Sequence, residues 1–164
     1  FTQTANYFKE RFSLSDSIDT ILKDWNNMAY NHYSENVKLK DGVKEFLDKL
    51  KQNNIKIALA TSNSVPLLEA CLKNNGIYDY FDSITTTDEV SNGKNCPDVY
   101  LLAAKKLNVN PKNCIVFEDI LPAIKGAKAA DMTVIAVSDK HSLNDLDEII
   151  NHSDKYINSY FELI

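Results

Sequence analysis

A single arginine, Arg11, three cysteines, four glycines and four prolines are all that the 164 residues contain of these types. With 18 basic against 23 acidic residues, a net charge of -5 and almost no arginine, the chain lacks the clustered basic surface of a nucleic-acid binder. A local cationic site for a small anion remains compatible with that balance. The cysteines, Cys71, Cys96 and Cys114, are odd in number and show no Cys-x-x-Cys spacing. This excludes a disulfide framework and a thiolate zinc site, and points to a reducing, cytoplasmic setting. No stretch approaches the ~18 uncharged apolar residues of a membrane helix, so a soluble chain without a membrane partner is expected. Gly-x-Ser-x-Gly, a glycine-rich phosphate loop and His-Glu-x-x-His are all missing. So are an initiator methionine and a signal peptide before Phe1, and the chain reads as the remainder of a longer protein.

What is present is the composition of one globular domain: 44% hydrophobic and 25% charged residues. Thr4 to Val37 carries helical patterning only. Tyr7, Phe8 and Phe12 form one apolar stripe. Ser15 then offers an N-cap before Ile18, Ile21, Leu22, Trp25, Met28 and Ala29 at spacings of three and four. From Asp41 onward helices and strands alternate. Asp41 is read as the cap of a helix ending at Asn53–Asn54, and Ile55 to Ala60 as a strand. Ser64 caps a helix stopped at Asn74, Asn75 and Gly76. Then come a strand Ser83 to Thr87, a helix Asp98 to Leu107, a strand Cys114 to Phe117 and a helix Leu121 to Ala130. A strand Thr133 to Val137, a helix capped by Ser142 and a short strand Lys155 to Ile157 complete the series. This alternation predicts an α/β fold, an open parallel Rossmann-like sheet with helices on both faces. The expected division is a helical part over residues 1–34, a hinge over 35–41 and an α/β core over 42–164.

In such a sheet, ligands bind outside the carboxyl ends of the strands. Thr61, Ser62 and Asn63 follow the first strand, Lys94 lies in the loop after the second, and Glu118 and Asp119 follow the third. Each has an ordinary alternative, as helix cap or solvated charge. Jointly, a hydroxyl, an ammonium and a carboxylate pair on one sheet edge suit a phosphate bound beside a divalent cation. His32, His141 and His152 share no spacing and carry no site.

Ile57-Ala58-Leu59-Ala60-Thr61-Ser62-Asn63, then Lys94-Asn95-Cys96-Pro97-Asp98, then Val116-Phe117-Glu118-Asp119 resemble motifs two, three and four of the haloacid dehalogenase superfamily. The similarity is to the branch containing β-phosphoglucomutase and small-molecule phosphatases such as pseudouridine 5′-phosphatase. Lys94 with Pro97-Asp98 fits that branch's Lys-Pro-x-Pro-Asp, Asn95 replacing the first proline. The resemblance implies a HAD fold with a partial helical cap. It implies a phosphatase of small phosphorylated metabolites, sugar phosphates or nucleotide-like compounds, that uses Mg2+ and an aspartyl-phosphate and is monomeric when full length. It gives Thr61, Ser62 and Asn63 a phosphate-binding role and makes Thr61 and Lys94 catalytic. Asp119 becomes the metal ligand, with Glu118 beside it as a direct or indirect one.

The family's Asp-x-Asp nucleophile strand has no counterpart here. Asp145-Leu146-Asp147 follows no apolar strand and is expected inside a helix, without catalytic role. The expectation is therefore that the nucleophile and the sheet's first strand lie outside this sequence, leaving the chain as given inactive. Lys94 is expected to be dispensable for folding. Two alternatives stand beside hydrolysis. One is a sugar-phosphate mutase, disfavoured because Asn63-Ser64-Val65 lacks the lysine of the Ser-Lys-Asn run that such relatives carry. The other is a non-catalytic binding protein.

Overall fold

The computed structural model describes residues 2–164. Its helices are α1 (Thr2–Phe12), α2 (Ile18–Glu35), α3 (Val43–Gln52), α4 (Val65–Asn74), α5 (Asp98–Leu107), α6 (Leu121–Ala129) and α7 (Leu146–His152). The strands are β1 (Ala58–Thr61), β2 (Ser83–Thr86), β3 (Ile115–Glu118), β4 (Thr133–Val137) and β5 (Lys155–Ile157). Every strand pair is parallel, as helical crossovers require. With so few glycines, asparagine and aspartate take the left-handed positions that close helices: Asn54 after α3, Asn108 after α5 and Asp131 after α6.

The sheet is built as two ladders, β1-β2 and β3-β4-β5. Packing on both faces holds β1 and β3 on the two sides of a break between these ladders. On one face α3 sets Leu47 among Ile57, Leu59, Leu68 and Leu72, and stacks Phe46 edge-on against Phe117 at 5.3 Å. On the other, Ala60 and Val116 pack on one cluster built from Val99, Tyr100, Ile124 and Val134. Between them the facing edges of β1 and β3 make no ladder. All four residues of β1 are half-buried, and Ile115 at the start of β3 is 58% exposed.

Each ladder begins with the same device. The Asp82 N–H donates to the Ile57 carbonyl (2.8 Å) while the Asp82 carboxylate accepts from the Ile57 N–H (2.8 Å) and pairs with Lys51 (3.0 Å). Asp154 repeats this with Val134, at 2.8 and 2.7 Å, and with Lys128 at 2.8 Å. An aspartate just before one strand thus closes a ring with its neighbour and takes a lysine from the helix leading into that neighbour.

The N-terminal helices attach through α2, which lies against α4. α1 folds back on α2 through Phe8 and Trp25, edge to face at 5.4 Å. Several caps differ from expectation. The cap of α2 is Ser17, whose hydroxyl accepts from the Thr20 N–H, not Ser15. α3 starts after Gly42 in the left-handed region (φ 79°) rather than at Asp41, because Gly42 is pressed on Phe161, whose backbone nitrogen would lie 2.7 Å from any added Cβ. Neither Ser64 nor Ser142 makes a side-chain cap bond. The Ile55–Ala60 run enters the ladder only at Ala58, leaving Ile55 half exposed. Asp145 falls in a 3-10 turn, Leu143–Asp145, that precedes α7 rather than lying inside it.

Two outcomes follow from this packing. The Ile57 N–H and then Lys51 hold Asp82 below the usual carboxylate range, and Lys128 and then the Val134 N–H do so for Asp154. A carboxylate lowered on folding stabilises the fold above about pH 4 and ceases to as the pH falls through its folded value. Asp82→Asn and Asp154→Asn should therefore lower the urea midpoint at pH 7, and the difference from wild type should shrink as the pH falls through the folded value of the carboxylate. Thr85, fully buried on β2, has a hydroxyl without a partner among the described residues. Thr85→Val should raise stability by about 1 kcal/mol in the same titration, since the orphaned group is removed and the shape kept.

Candidate active site

The loop after β2 carries Lys94 back over the sheet to the end of β3. α6 holds it there. Gly126 meets the loop backbone so closely that a Cβ would stand 2.1 Å from the Lys94 carbonyl oxygen and 2.9 Å from that of Cys96. The Lys94 ammonium forms an ion pair with Glu118 Oε1 and lies 5.9 Å over the Tyr100 ring. The Tyr100 hydroxyl shares its proton between Glu118 Oε1 (3.0 Å) and the Ala123 carbonyl (3.1 Å). Burial, and then the Glu118 charge, push the Tyr100 phenol well above its ordinary value, so it stays a donor. The Glu118 side chain is 8% exposed and that of Lys94 20%. This bond crosses the break, joining the β1-β2 ladder to β3.

Asp119, the next residue, turns to a different partner. Its Oδ2 lies 3.4 Å from the Lys40 ammonium, which also contacts Asp139 Oδ2 at 2.5 Å and the Ser138 carbonyl at 3.0 Å. Lys40, and then the His141 N–H, hold Asp139 below the usual carboxylate range. At the end of β1, Thr61 Oγ1 accepts from the Asn63 N–H (3.0 Å) and Asn63 Oδ1 from the Ser64 N–H (3.1 Å). Ser62 is exposed. Ser64 is the N-cap residue of α4 as expected, but its hydroxyl makes no cap bond.

The structure therefore brings Lys94 and Glu118 into contact and sets Asp119 beside them. It keeps Thr61, Ser62 and Asn63 on a neighbouring strand end with no hydrogen bond or ion pair to that group among the described residues. Asp145 and Asp147 are exposed and make no side-chain bond to any of these residues. Hard carboxylate oxygen at Asp119 suits magnesium, which keeps several waters and takes one or two carboxylates beside a phosphate. Among the described residues no three His, Cys, Asp or Glu side chains converge as a complete metal cage. Tyr100, Lys40, Asp139 and Gly126 escape the sequence reading. Only Gly126 left a trace, as a lone glycine inside a helical pattern.

Lys94 is also structural, contrary to the expectation that it is dispensable for folding. Removing it strands a buried carboxylate. Lys94→Met should destabilise toward the lower end of about 3–5 kcal/mol, given the partial exposure of the lysine. Lys94→Met with Glu118→Gln should recover most of that loss, since the amide can still accept from Tyr100. Equal urea midpoints for wild type and Lys94→Met would contradict the assignment.

Residues 3–131 match the family model described as haloacid dehalogenase-like hydrolase. The chain is 38% identical over 138 residues to a phosphorylated carbohydrates phosphatase of Thermotoga maritima, covering 83% of this chain and 62% of that protein. It is 37% identical over 81 residues to the fructose-1-phosphate phosphatase YqaB of Escherichia coli, covering 49% of this chain and 43% of that one. CbbY from Rhodobacter sphaeroides in complex with phosphate superposes with a TM-score of 0.81 at 26% identity, over 92% of this chain and 67% of that one. A β-phosphoglucomutase from Clostridium difficile does so with a TM-score of 0.75 at 26% identity, over 99% and 72%. The chain thus spans about three-fifths or less of the length of these two curated relatives. Its neighbours lie in the β-phosphoglucomutase and CbbY branch, and the chain belongs to the haloacid dehalogenase-like hydrolase family.

Proposed function

We propose that the protein is a magnesium-dependent phosphatase of small phosphorylated metabolites, sugar phosphates above all, working as a cytoplasmic monomer. The observation that carries this reading is the ammonium of Lys94, fixed by buried Glu118 at the carboxyl end of β3 beside the Asp119 carboxylate. A fixed point charge with three donors is what the equatorial oxygens of a transferring phosphoryl group require. Thr61, Ser62 and the backbone amides entering α4 would receive the other oxygens. Asp119 would hold magnesium directly, and Glu118 would act by holding Lys94. Bound there, magnesium would polarise the phosphoryl group and neutralise its developing charge.

The attacking carboxylate is not among these residues, since Glu118 is committed to Lys94 and Tyr100. We place it on an extended segment lying between the facing edges of β1 and β3, over the residues 35–41 hinge that joins the partial cap (1–34) to the core (42–164). Its oxygen would bond to phosphorus as the ester oxygen leaves with a proton, and water would then cleave the acyl phosphate to inorganic phosphate. The names of the Thermotoga and Escherichia relatives support hydrolysis over phosphoryl transfer to a second hydroxyl. So does Asn63-Ser64-Val65, which offers no ammonium for a second phosphate.

In the intact protein, magnesium-dependent hydrolysis of p-nitrophenyl phosphate should fall about a hundredfold or more in Asp119→Asn, as for loss of one group that stabilises developing charge. Release of inorganic phosphate from a sugar phosphate, without an isomerised sugar phosphate, separates the phosphatase from the mutase. Phosphate binding without turnover in the intact protein would instead favour a binding protein.

A further inference from the structure

Lys40 stands in the polar stretch between α2 and α3, outside every motif that carries the family resemblance, yet its ammonium reaches the ends of two strands. Both ends of the residue are fixed. Its carbonyl accepts from the Val43 N–H at 3.2 Å, and the next carbonyl, that of Asp41, accepts from the Tyr160 N–H at 3.0 Å. Gly42 is wedged against Phe161 in a conformation that side-chain-bearing residues rarely adopt. The side chain then spans from this anchor to the carbonyl of Ser138 and the carboxylates of Asp139 and Asp119.

The three contacts are unequal. At 2.5 and 3.0 Å, Asp139 and the Ser138 carbonyl are hydrogen-bond partners. At 3.4 Å, Asp119 is a Coulomb partner only. We propose that Lys40 sets the charge of the Asp119 site: its ammonium serves as counter-ion to Asp119 and, being retained by Asp139 and Ser138, leaves that carboxylate open to a divalent cation while lowering the affinity for it. This rests on the assignment of Asp119 as metal ligand made above. Lys40 is on this view a positioning residue and touches no substrate.

The sign of the effect separates this role from plain scaffolding. A scaffold residue, once removed, lets the metal ligand wander and weakens metal binding. A fixed positive charge a few ångströms from the cation repels it, and Asp139 without its lysine adds an uncompensated negative charge. These are two sides of one single-charge change, and it makes metal binding tighter when Lys40 is lost. With the side chains about one-third exposed, the effective dielectric is high, and the gain should be roughly tenfold at low salt.

The experiment is a Mn2+ titration of the intact protein, followed by electron paramagnetic resonance of the free ion, with no substrate present. Asp119→Asn should abolish binding. Lys40→Met should bind about tenfold tighter, with the gain shrinking as salt is raised, while Lys40→Arg should stay near wild type. Asp139→Asn should bind several-fold more weakly, because a negative charge is lost and Lys40 is released onto Asp119. Lost binding in Asp119→Asn with equal or weaker binding in Lys40→Met overturns the role of Lys40 and leaves Asp119 as ligand. Undiminished binding in Asp119→Asn overturns the metal assignment, and the Lys40 role with it. Should Lys40→Met fail to fold, Asp139→Asn decides alone, and affinity equal to or above wild type there overturns the proposal.

Discussion

The ion pair between Lys94 and Glu118 crosses a break in the sheet, and much of the architecture around it exists to keep it dry and correctly placed. β1-β2 and β3-β4-β5 share no ladder, so their mutual position rests on helix packing and on polar links of which this is the most buried ion pair. A buried pair is worth its desolvation only if the remaining hydrogen-bonding capacity is filled. Tyr100 does that for Glu118, and burial keeps its phenol protonated for the purpose. Gly126 lets α6 approach until the Lys94 backbone cannot move outward. The same contacts that stabilise the fold therefore aim an ammonium at the carboxyl edge of the sheet, where a ligand would sit.

The opposite edge is organised for stability alone. Asp82 and Asp154 each close a ring with a neighbouring strand and take a lysine from the preceding helix. A four-residue strand has few ladder bonds, so its register is weakly held by the ladder itself. Tying the first residue pair of each ladder fixes the register at one end and leaves the other end free for chemistry. Carboxylates at the amino edge are thus engaged by a backbone N–H and a lysine each, whereas Asp119 at the carboxyl edge accepts no hydrogen bond from the backbone among the described residues.

Much of this order was legible in the sequence because it is local. Asp98–Leu107, Thr133–Val137 and Lys155–Ile157 fall where their apolar spacing puts them. Lys94 and Asp119 follow strands and Glu118 ends one, and strand ends can be read from where an apolar run stops. What the sequence hid is set by contacts between distant segments. Helix α3 begins after Gly42 because Phe161 presses on it from 119 residues downstream. Ile55 is left outside β1 because the ladder starts where Asp82 clamps Ile57. Tyr100 reads as one more apolar position on a helix face, and Lys40 as one more lysine in a polar link. Neither spacing nor composition tells which of 18 basic residues will reach a carboxylate 99 positions away.

Charge at the carboxyl edge ties these strands together. Three carboxylates, Glu118, Asp119 and Asp139, meet two ammoniums, Lys40 and Lys94, which leaves one negative charge in excess. A phosphate ester is itself anionic, and a carboxylate nucleophile adds another negative charge. Lys94 alone does not reverse that repulsion, because most of its charge is already matched by Glu118. A divalent cation at Asp119 cancels that excess together with the charge of the nucleophile, and so removes the repulsion that would keep phosphate away. On the proposed reaction the need for magnesium is therefore a consequence of how this chain has paired its lysines. On the same proposals, Lys40 would set how strongly the edge draws the metal, and Lys94 where the phosphate then comes to rest.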